Sequence, residues 1–518
     1  MTKRSTVWVI VIVLSVLIAL ATIAAVGSRS SVLRRLVVET LAERLDSEVE
    51  LSALSVGLFP TVRVSGAGLV VRHKGRRDVP PLISIRRFQF ESGLSGLLMR
   101  PRRFRLLRME GLDVAIPPGG VRASEDSPDP GHVPPAVPSR SPIVIDRLES
   151  NDASLTLVPR QIGKAPRVFA IHRLRLHSVG VAERIPFEAE LTNPVPKGAI
   201  STKGAFGPWQ REEPAATPLD GQYTFAHADL STIKGIGGTL DSTGTFSGKL
   251  ERIQVNGETR SSDFSLDVAN HPVPLTTTFD AVVDGTNGNT YLNQVSARIA
   301  NTPLATNGAI AGTHGVKGRT ITLHIGIDDG RIEDLLRLAV KSTQPLMTGA
   351  LQLKADMTLP PGEADVVERL LLAGQFGITT ARFTDPSVQS KITGMSHRAQ
   401  GDDADTAKGS VVSNLRGNFR LNHGTLALSG LTFQIPGATV RLDGTYGLRT
   451  ESLEFDGTLR MDATISEAAG DGIKSMVLKA IDPLFRRGKA GAVVPIRIRG
   501  TREHPKFGLD VGRILSRD

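Results

Sequence analysis

The sequence predicts a mainly β protein: an N-terminal transmembrane helix, then an elongated, curved antiparallel β-sheet with an open groove and a few short helices. Three observations predict it. Beyond about Val49, apolar and polar residues alternate with a period of two, the signature of strands with one apolar face. The 52 Gly and 31 Pro are spread along the whole length, which forces frequent turns and short elements. At 518 residues the chain exceeds one ordinary core, and long helices to cover the strands are nearly absent, so an extended architecture follows.

The first element runs from Val7 to Val26, VWVIVIVLSVLIALATIAAV, an uncharged stretch of about 20 residues that crosses roughly 30 Å of hydrocarbon as a helix. Lys3 and Arg4 precede it, as in a signal peptide, but its apolar length favours an uncleaved signal anchor. Residues 1–6 then form a cytoplasmic tail, although Arg29, Arg34 and Arg35 beyond the span oppose that orientation. Large downstream domains translocate largely regardless of such charges. Next, VLRRLVVETLAERL places Leu33, Leu36, Val37, Leu41 and Leu45 on one helical face, to lie near the membrane or plug the first sheet. It opens an N-terminal module over 27–120.

The rest reads as strands. In ITLHIGI, Ile321, Leu323, Ile325 and Ile327 oppose Thr322, His324 and Gly326. GALQLKADMTL sets Leu351, Leu353, Ala355, Met357 and Leu359 against Gln352, Lys354, Asp356 and Thr358, and VVPIRIRG sets Val494, Ile496 and Ile498 against Arg497 and Arg499. Asp284-Gly285, Asn287-Gly288, Asp443-Gly444 and Asp456-Gly457 are predicted to turn successive hairpins. Residues 121–142, rich in Pro, Ser and acid, read as a linker or exposed loop before a middle region over 143–400. Residues 401–408 read as a second polar loop, leaving 409–518 as the C-terminal region. Short helices are predicted over 331–340 and 472–481, the latter ended by Pro483.

Composition narrows function. Aromatics at 4% are too few for the two girdles of an outer-membrane barrel, and the absence of cysteine removes disulfides, thiol catalysis and the commonest zinc ligands. A net charge of +10 suits an anionic partner. Nucleic acid is set aside because basic residues are not interleaved with aromatics. Arg100, Arg102, Arg103, Arg105 and Arg108 form a basic run that either meets anionic headgroups or is the solvated face of a hairpin. His172, His177, His227, His271 and His314 are dispersed, without metal-ligand spacing, and Asp328-Asp329 before the 331–340 helix reads as an acidic helix-start signal rather than a calcium loop. With no phosphate loop, nucleophile elbow or paired acids, the sequence predicts a non-enzymatic protein without cofactor or metal.

One-faced strands without helices to cover them must face each other or line a groove with an apolar guest. Roughly 25 to 30 strands at about 4.8 Å would extend on the order of 120 to 140 Å. A diacyl lipid exposing about 30 methylenes to water faces a cost of roughly 25 kcal/mol, which a greasy groove removes. The groove candidates are Ile321, Leu323, Ile325, Ile327, Leu351, Leu353, Met357, Leu359, Val494, Ile496 and Ile498, and the headgroup candidates Arg100, Arg102, Arg103 and Arg105.

The run LAERLDSEVELSALSVGLFPTVRVSGAGLVV, followed by PPLISIRRFQFESGLSGLLMRPRRFRLLRMEGLDVAIP, resembles the opening module of the AsmA family of envelope proteins. The shared order is a single span, a short helix, a strand to Leu58-Phe59-Pro60, a Gly-flanked strand, Pro80-Pro81, a Leu-rich basic reversal and a strand to Ile116-Pro117. Asp46-Ser47 departs from it, where the family often has Gly. The far end, DPLFRRGKAGAVVPIRIRGTREHPKFGLDVGRIL, resembles the family's C-terminal region, with Gly500-Thr501 ahead of Pro505, Lys506 and Phe507. The resemblance implies a protein held in the inner membrane, with a periplasmic β-groove that carries phospholipid toward the outer membrane or assists its biogenesis, alone or with an outer-membrane or periplasmic partner. The alternative it leaves open is an assembly factor for outer-membrane proteins without a lipid conduit.

Overall fold

The computed structural model describes residues 34–35, 37–39, 42, 47–57, 61–73, 80–93, 95–96, 102–116, 143–157, 167–180, 183–208, 214–313, 316, 318–342, 344–400, 411–463, 486–487, 490–501 and 504–509. These residues are mainly β. They fall into two compact units: Met1–Asp229 with Asp241–Val255 and Asp284–Asn287, and Leu230–Leu240 with Asn256–Val283 and Gly288–Asp518.

The first unit holds β1 (Ser47–Glu50), β2 (Ala53–Gly57), β3 (Val62–His73), β4 (Ile83–Ser92), β5 (Arg102–Ile116) and β6 (Ile143–Leu157). It continues with β7 (Arg167–Val179), β8 (Ile185–Pro194), β9 (Lys197–Phe206) and β10 (Pro218–Asp229). β1 and β2 both pair with β3, which pairs with β4, and β4 with β5, all antiparallel. β5 and β6 then run parallel, with Arg103 opposite Val144 and Val114 opposite Leu155, before antiparallel pairing resumes from β6 to β10. A succession of hairpins is therefore broken once. Parallel neighbours need a crossover between them, in contrast to the tight turns that join antiparallel hairpins. The expected linker at 121–142 lies outside the described residues.

The apolar face of β1 to β6 is closed. Leu69, Val71, Ile83 and Leu107 are each less than 2% exposed. Phe90 meets Phe88 and Phe104 edge-on at centroid distances of 5.7 and 6.0 Å, the favoured geometry for aromatic pairs. Helical residue Val37, 1% exposed, packs into this cluster with Val38 and Ala42, so this segment plugs the first strands.

β11 (Ile236–Gly237) belongs to the second unit, β12 (Thr239–Lys249) mostly to the first, and β13 (Arg252–Leu266) mostly to the second. The second unit continues through β14 (Val273–Val283), β15 (Thr290–Ile299), β16 (Thr302–Ala311), β17 (Thr320–Arg331), β18 (Met347–Leu359), β19 (Leu371–Phe383) and β20 (Ser413–Asn422). It ends with β21 (Thr425–Ile435), β22 (Ala438–Gly447), β23 (Ser452–Met461), β24 (Arg486–Arg487), β25 (Ala490–Thr501) and β26 (Pro505–Leu509). From β14 to β23 each strand pairs antiparallel with the next; β23 then pairs with β25, and β25 with β26.

Among the described residues of the second unit, three helices lie between strands: Ile332–Ala339, Val366–Arg369 and Pro386–Gln400. The first fits the expectation over 331–340. Its first-turn acids are Glu333 and Asp334, whereas Asp328-Asp329 sit exposed inside β17, beside its bulge, and do not cap the helix. Helix Pro386–Gln400 was not foreseen. The helix predicted over 472–481 and the polar loop 401–408 lie outside the described residues, as does the span 7–26. Among the described residues no helix is long and apolar enough to cross a membrane.

Of the four turn dipeptides, Asp284-Gly285 and Asn287-Gly288 do lie in the connection between β14 and β15. Asp443-Gly444 and Asp456-Gly457 lie mid-strand in β22 and β23, with Asp443 opposite Asp456 and Gly444 opposite Phe455. The reason is two-sided: each Asp stands on the polar face, and each Gly leaves room on the apolar face for a large neighbour.

Candidate functional site

The register of the second unit aligns apolar residues into rows that cross many strands, the direction in which a sheet sums its side-chain contacts. One row reads Leu323, Met357, Leu372, Leu421, Leu426, Tyr446 and Leu453 from β17 to β23. The next reads Ile325, Ala355, Gly374, Phe419, Leu428, Gly444, Phe455 and Ile498, ending on β25. A further row, at the other end of the strands, reads Leu351, Ile378, Leu415, Phe433, Val440, Leu459 and Val494.

These rows differ in cover. Around the Leu351 row the chain supplies its own roof. Ile332 and Leu335 of helix Ile332–Ala339 pack on Ile327, Leu351, Ile378 and Ala381. Ile392, Met395 and Ala399 of helix Pro386–Gln400 pack with Ile435, Ala438, Met461 and Val494. β17, β18 and β19 are bulged beside this strip, between Ile327 and Gly330, Thr348 and Ala350, and Ile378 and Ala381. Bulges bend and twist strands locally, which is where a roofing helix needs the sheet to give way. Toward the other end no helix among the described residues packs on the wall; Leu323, Met357, Leu372, Leu426, Leu428, Tyr446 and Leu453 are half-buried there, while Leu421, Ala355 and Phe455 are buried.

The groove candidates thus fall into two groups. Ile327, Leu351 and Val494 are buried under or beside the helices. Ile321, Leu323, Ile325, Leu353, Met357, Leu359, Ile496 and Ile498 are half-buried on the same apolar face, Leu353 and Ile496 at the margin of the roofed clusters. Sequence reading missed Leu372, Phe419, Leu421, Leu426, Leu428, Tyr446, Phe455 and Leu453. Their alternation was present, in SNLRGNFRLN for example, but Gly interruptions hid it.

Those glycines are part of the wall. Phe419 pairs with Gly374, Phe376 with Gly417 and Phe455 with Gly444, so a ring occupies the space that a side chain would otherwise take. The first unit repeats the device with Phe187 opposite Gly204 and Phe88 opposite Gly66. Its later strands also align an apolar row, Ile171, Leu191, Ile200 and Phe225, half-buried throughout. The neighbouring row, Leu174, Ala189, Thr202 and Tyr223, is more polar. Burial pushes the Tyr223 phenol above its ordinary pKa of 10, partly offset by its hydrogen bond with Ser242 at 3.2 Å.

The opposite face is charged and cross-paired. In the first unit Arg103 meets Asp146 at 2.8 Å, Arg108 meets Glu149 at 3.2 Å, and Arg173 and Arg175 meet Glu190 and Glu188. Arg103 is therefore neutralised within the sheet, Arg105 is exposed, Arg102 is half-buried, and Arg100 lies outside the described residues. Such exposed pairs contribute well under about 1 kcal/mol each and chiefly fix register. Among the described residues no group of three His, Asp or Glu is placed to hold a metal ion. The arrangement offers an apolar wall, roofed along one strip and uncovered along another.

No family model, curated protein or solved structure matches the chain.

Proposed function

We propose that this is a non-enzymatic, membrane-anchored protein of a Gram-negative-type envelope that binds phospholipid acyl chains along its apolar wall. In this reading it assists their passage toward the outer membrane. The observation that carries the reading is the half-buried state of the rows through Leu323 and Ile325. A wall closed by its own side chains would be dry and fully buried, as β1 to β6 are. Here aliphatic or aromatic side chains on β17 to β23 and on β25 retain contact with solvent, with Leu421, Ala355 and Phe455 the buried members of the two rows, and each methylene laid on them regains about 0.8 kcal/mol. The uncharged stretch 7–26 supplies the anchor, and the resemblance of both chain ends to the AsmA family supports the envelope setting. The inner membrane is then its seat, with the bulk of the chain in the periplasm.

The test is a photo-crosslinking amino acid at Leu323 or Leu353, compared with Thr322 or Gln352 on the opposite face. Phospholipid adducts identified by mass spectrometry are expected at the first pair. Equal yields at the second pair would remove the basis for a one-sided groove. Lipid-free protein after gentle extraction would instead favour an assembly factor whose apolar wall meets protein.

A further inference from the structure

The polar face of the second unit contains an open hollow of about 750 Å³ spanning β15 to β20. That volume lies within the range of small-ligand sites. Two register rows of polar side chains line it, with the row between them, Thr306, Ile325, Ala355 and Gly374, forming part of the floor. Asn307, His324 and Asp356 stand side by side on β16, β17 and β18. Gly326, Lys354, Gln375 and Asn418 stand side by side from β17 to β20. The floor is low because Ala305 and Gly326 face each other there with almost no side chain. Several polar groups are held in place: His324 Nδ1 bonds Asp356 Oδ1 at 2.6 Å, Asn293 donates to Asp280, and Asn418 donates to the Ser429 carbonyl at 3.5 Å.

The chemistry of the lining selects a ligand class. Lys354 shares the hollow with two carboxylates, Asp356 and Asp328, so no cation excess exists to hold a phosphate, and no three-ligand metal cluster is present among the described residues. Side-chain amides present both donors and acceptors, and an ordered imidazole adds one nitrogen of either kind. Such a lining fits a neutral guest rich in hydroxyl and amide groups. A second feature points the same way. Tyr291, 46% exposed, stands opposite Ala309, which lies two residues, about 7 Å, along β16 from Asn307 on the same face, and so offers an aromatic ring at the rim. The positive edge and negative face of such a ring suit the C–H-rich face of a sugar. We propose that this hollow, with Tyr291 at its rim, is a binding site for a neutral polysaccharide or oligosaccharide chain. The site lies on the face opposite the apolar wall and does not depend on the lipid reading.

Calorimetric titration of the full chain, held in a sugar-free zwitterionic detergent, tests it with two probes: the β-1,4-linked tetramer of N-acetylglucosamine and maltotetraose. Saturable heat is expected from at least one. Tyr291→Ala and Gln375→Ala are expected to weaken that binding tenfold or more, while Arg460→Ala, elsewhere on the polar face of β23, leaves it unchanged. Circular dichroism melts establish that all three variants fold. Absence of heat from both tetrasaccharides overturns the proposal, as does an affinity that the first two variants leave intact or that Arg460→Ala lowers equally.

Discussion

Phe455 and Gly444 show how the wall is built from single residues. A Cβ at Gly444 would collide with the Glu454 carbonyl oxygen and stand 2.6 Å from Cδ1 of the Phe455 ring. Gly444→Val is therefore expected to cost about 1 to 3 kcal/mol through overpacking, read as a lowered urea midpoint. Gly377→Ala, with nothing within 4 Å of the new methyl, is expected to shift stability by no more than about 0.5 kcal/mol. On the opposite face Asp456 shares its carboxylate between Arg499 at 2.7 Å and Arg497 at 3.1 Å. The Arg499 hydrogen bond, foremost, holds its carboxyl below the ordinary 3.8; burial opposes it, and the Arg497 hydrogen bond and the charges of both guanidinium groups add to the lowering. A lowered folded pKa favours the native state at all pH above 3.8, and that stabilisation fades as pH falls through the folded value. Asp456→Asn is accordingly expected to lower the melting temperature slightly at pH 7 and to narrow its gap from the parent chain below pH 3.8. This chemistry escaped sequence reading because Asp-Gly is the commonest hairpin signal, and only the cross-strand partner reveals that Gly is making room for a ring.

Alternation of two made the strands legible at the scale of elements, because each ITLHIGI-like segment carries its own one-sided pattern. Helix Ile332–Ala339 was legible for the same reason, its apolar residues recurring at helical spacing. Helix Pro386–Gln400 was not: Gly394, four hydroxyl residues and Pro386 dilute a face that comes down to Ile392, Met395 and Ala399. It is held by interactions no local pattern announces. Asp385 caps it by accepting from the backbone N–H of Ser387 at 2.7 Å, and buried Ser396 donates to the Pro436 carbonyl at 2.7 Å. The parallel step from β5 to β6 was equally hidden, since a Pro-rich connection looks the same whether it links modules or crosses a sheet. Helix Ile332–Ala339 is anchored by Asp334, 2% exposed, which accepts from the Asn301 N–H at 3.0 Å and the Thr302 hydroxyl at 2.9 Å. Glu333 accepts from the Gly349 N–H at 3.2 Å, so the helix start is tied to β18 as well. Asp334→Ala strands a buried N–H and a hydroxyl and is expected to cost about 2 to 4 kcal/mol. Protection of the β17 and β18 amides in hydrogen exchange should fall with it; unchanged protection would mean that the helix docks through Ile332 and Leu335 alone.

For the whole molecule, the decisive contrast is between roofed and unroofed parts of one apolar face, and substitution by charge separates them. Leu351, 2% exposed, lies in the cluster under helix Ile332–Ala339. Leu351→Glu buries a carboxylate with no partner, costs several kcal/mol and is expected to leave little folded chain. Leu323 and Leu428 stand in adjoining rows of the part that none of the described helices covers, each still in contact with solvent. A carboxylate at either position can reach water, so the loss expected for Leu323→Glu with Leu428→Glu is about 1 kcal/mol, within what an ordinary surface exchange allows. Lipid binding should respond in the opposite order of severity. Two carboxylates placed in the path of an acyl chain force their own desolvation on every passing methylene segment, so copurifying phospholipid, quantified by mass spectrometry, is expected to fall at least fivefold while the melt is nearly preserved. Were the double variant to lose its fold as Leu351→Glu does, this part of the face would be structural core; were it to keep both fold and lipid, the acyl chains would have to lie elsewhere.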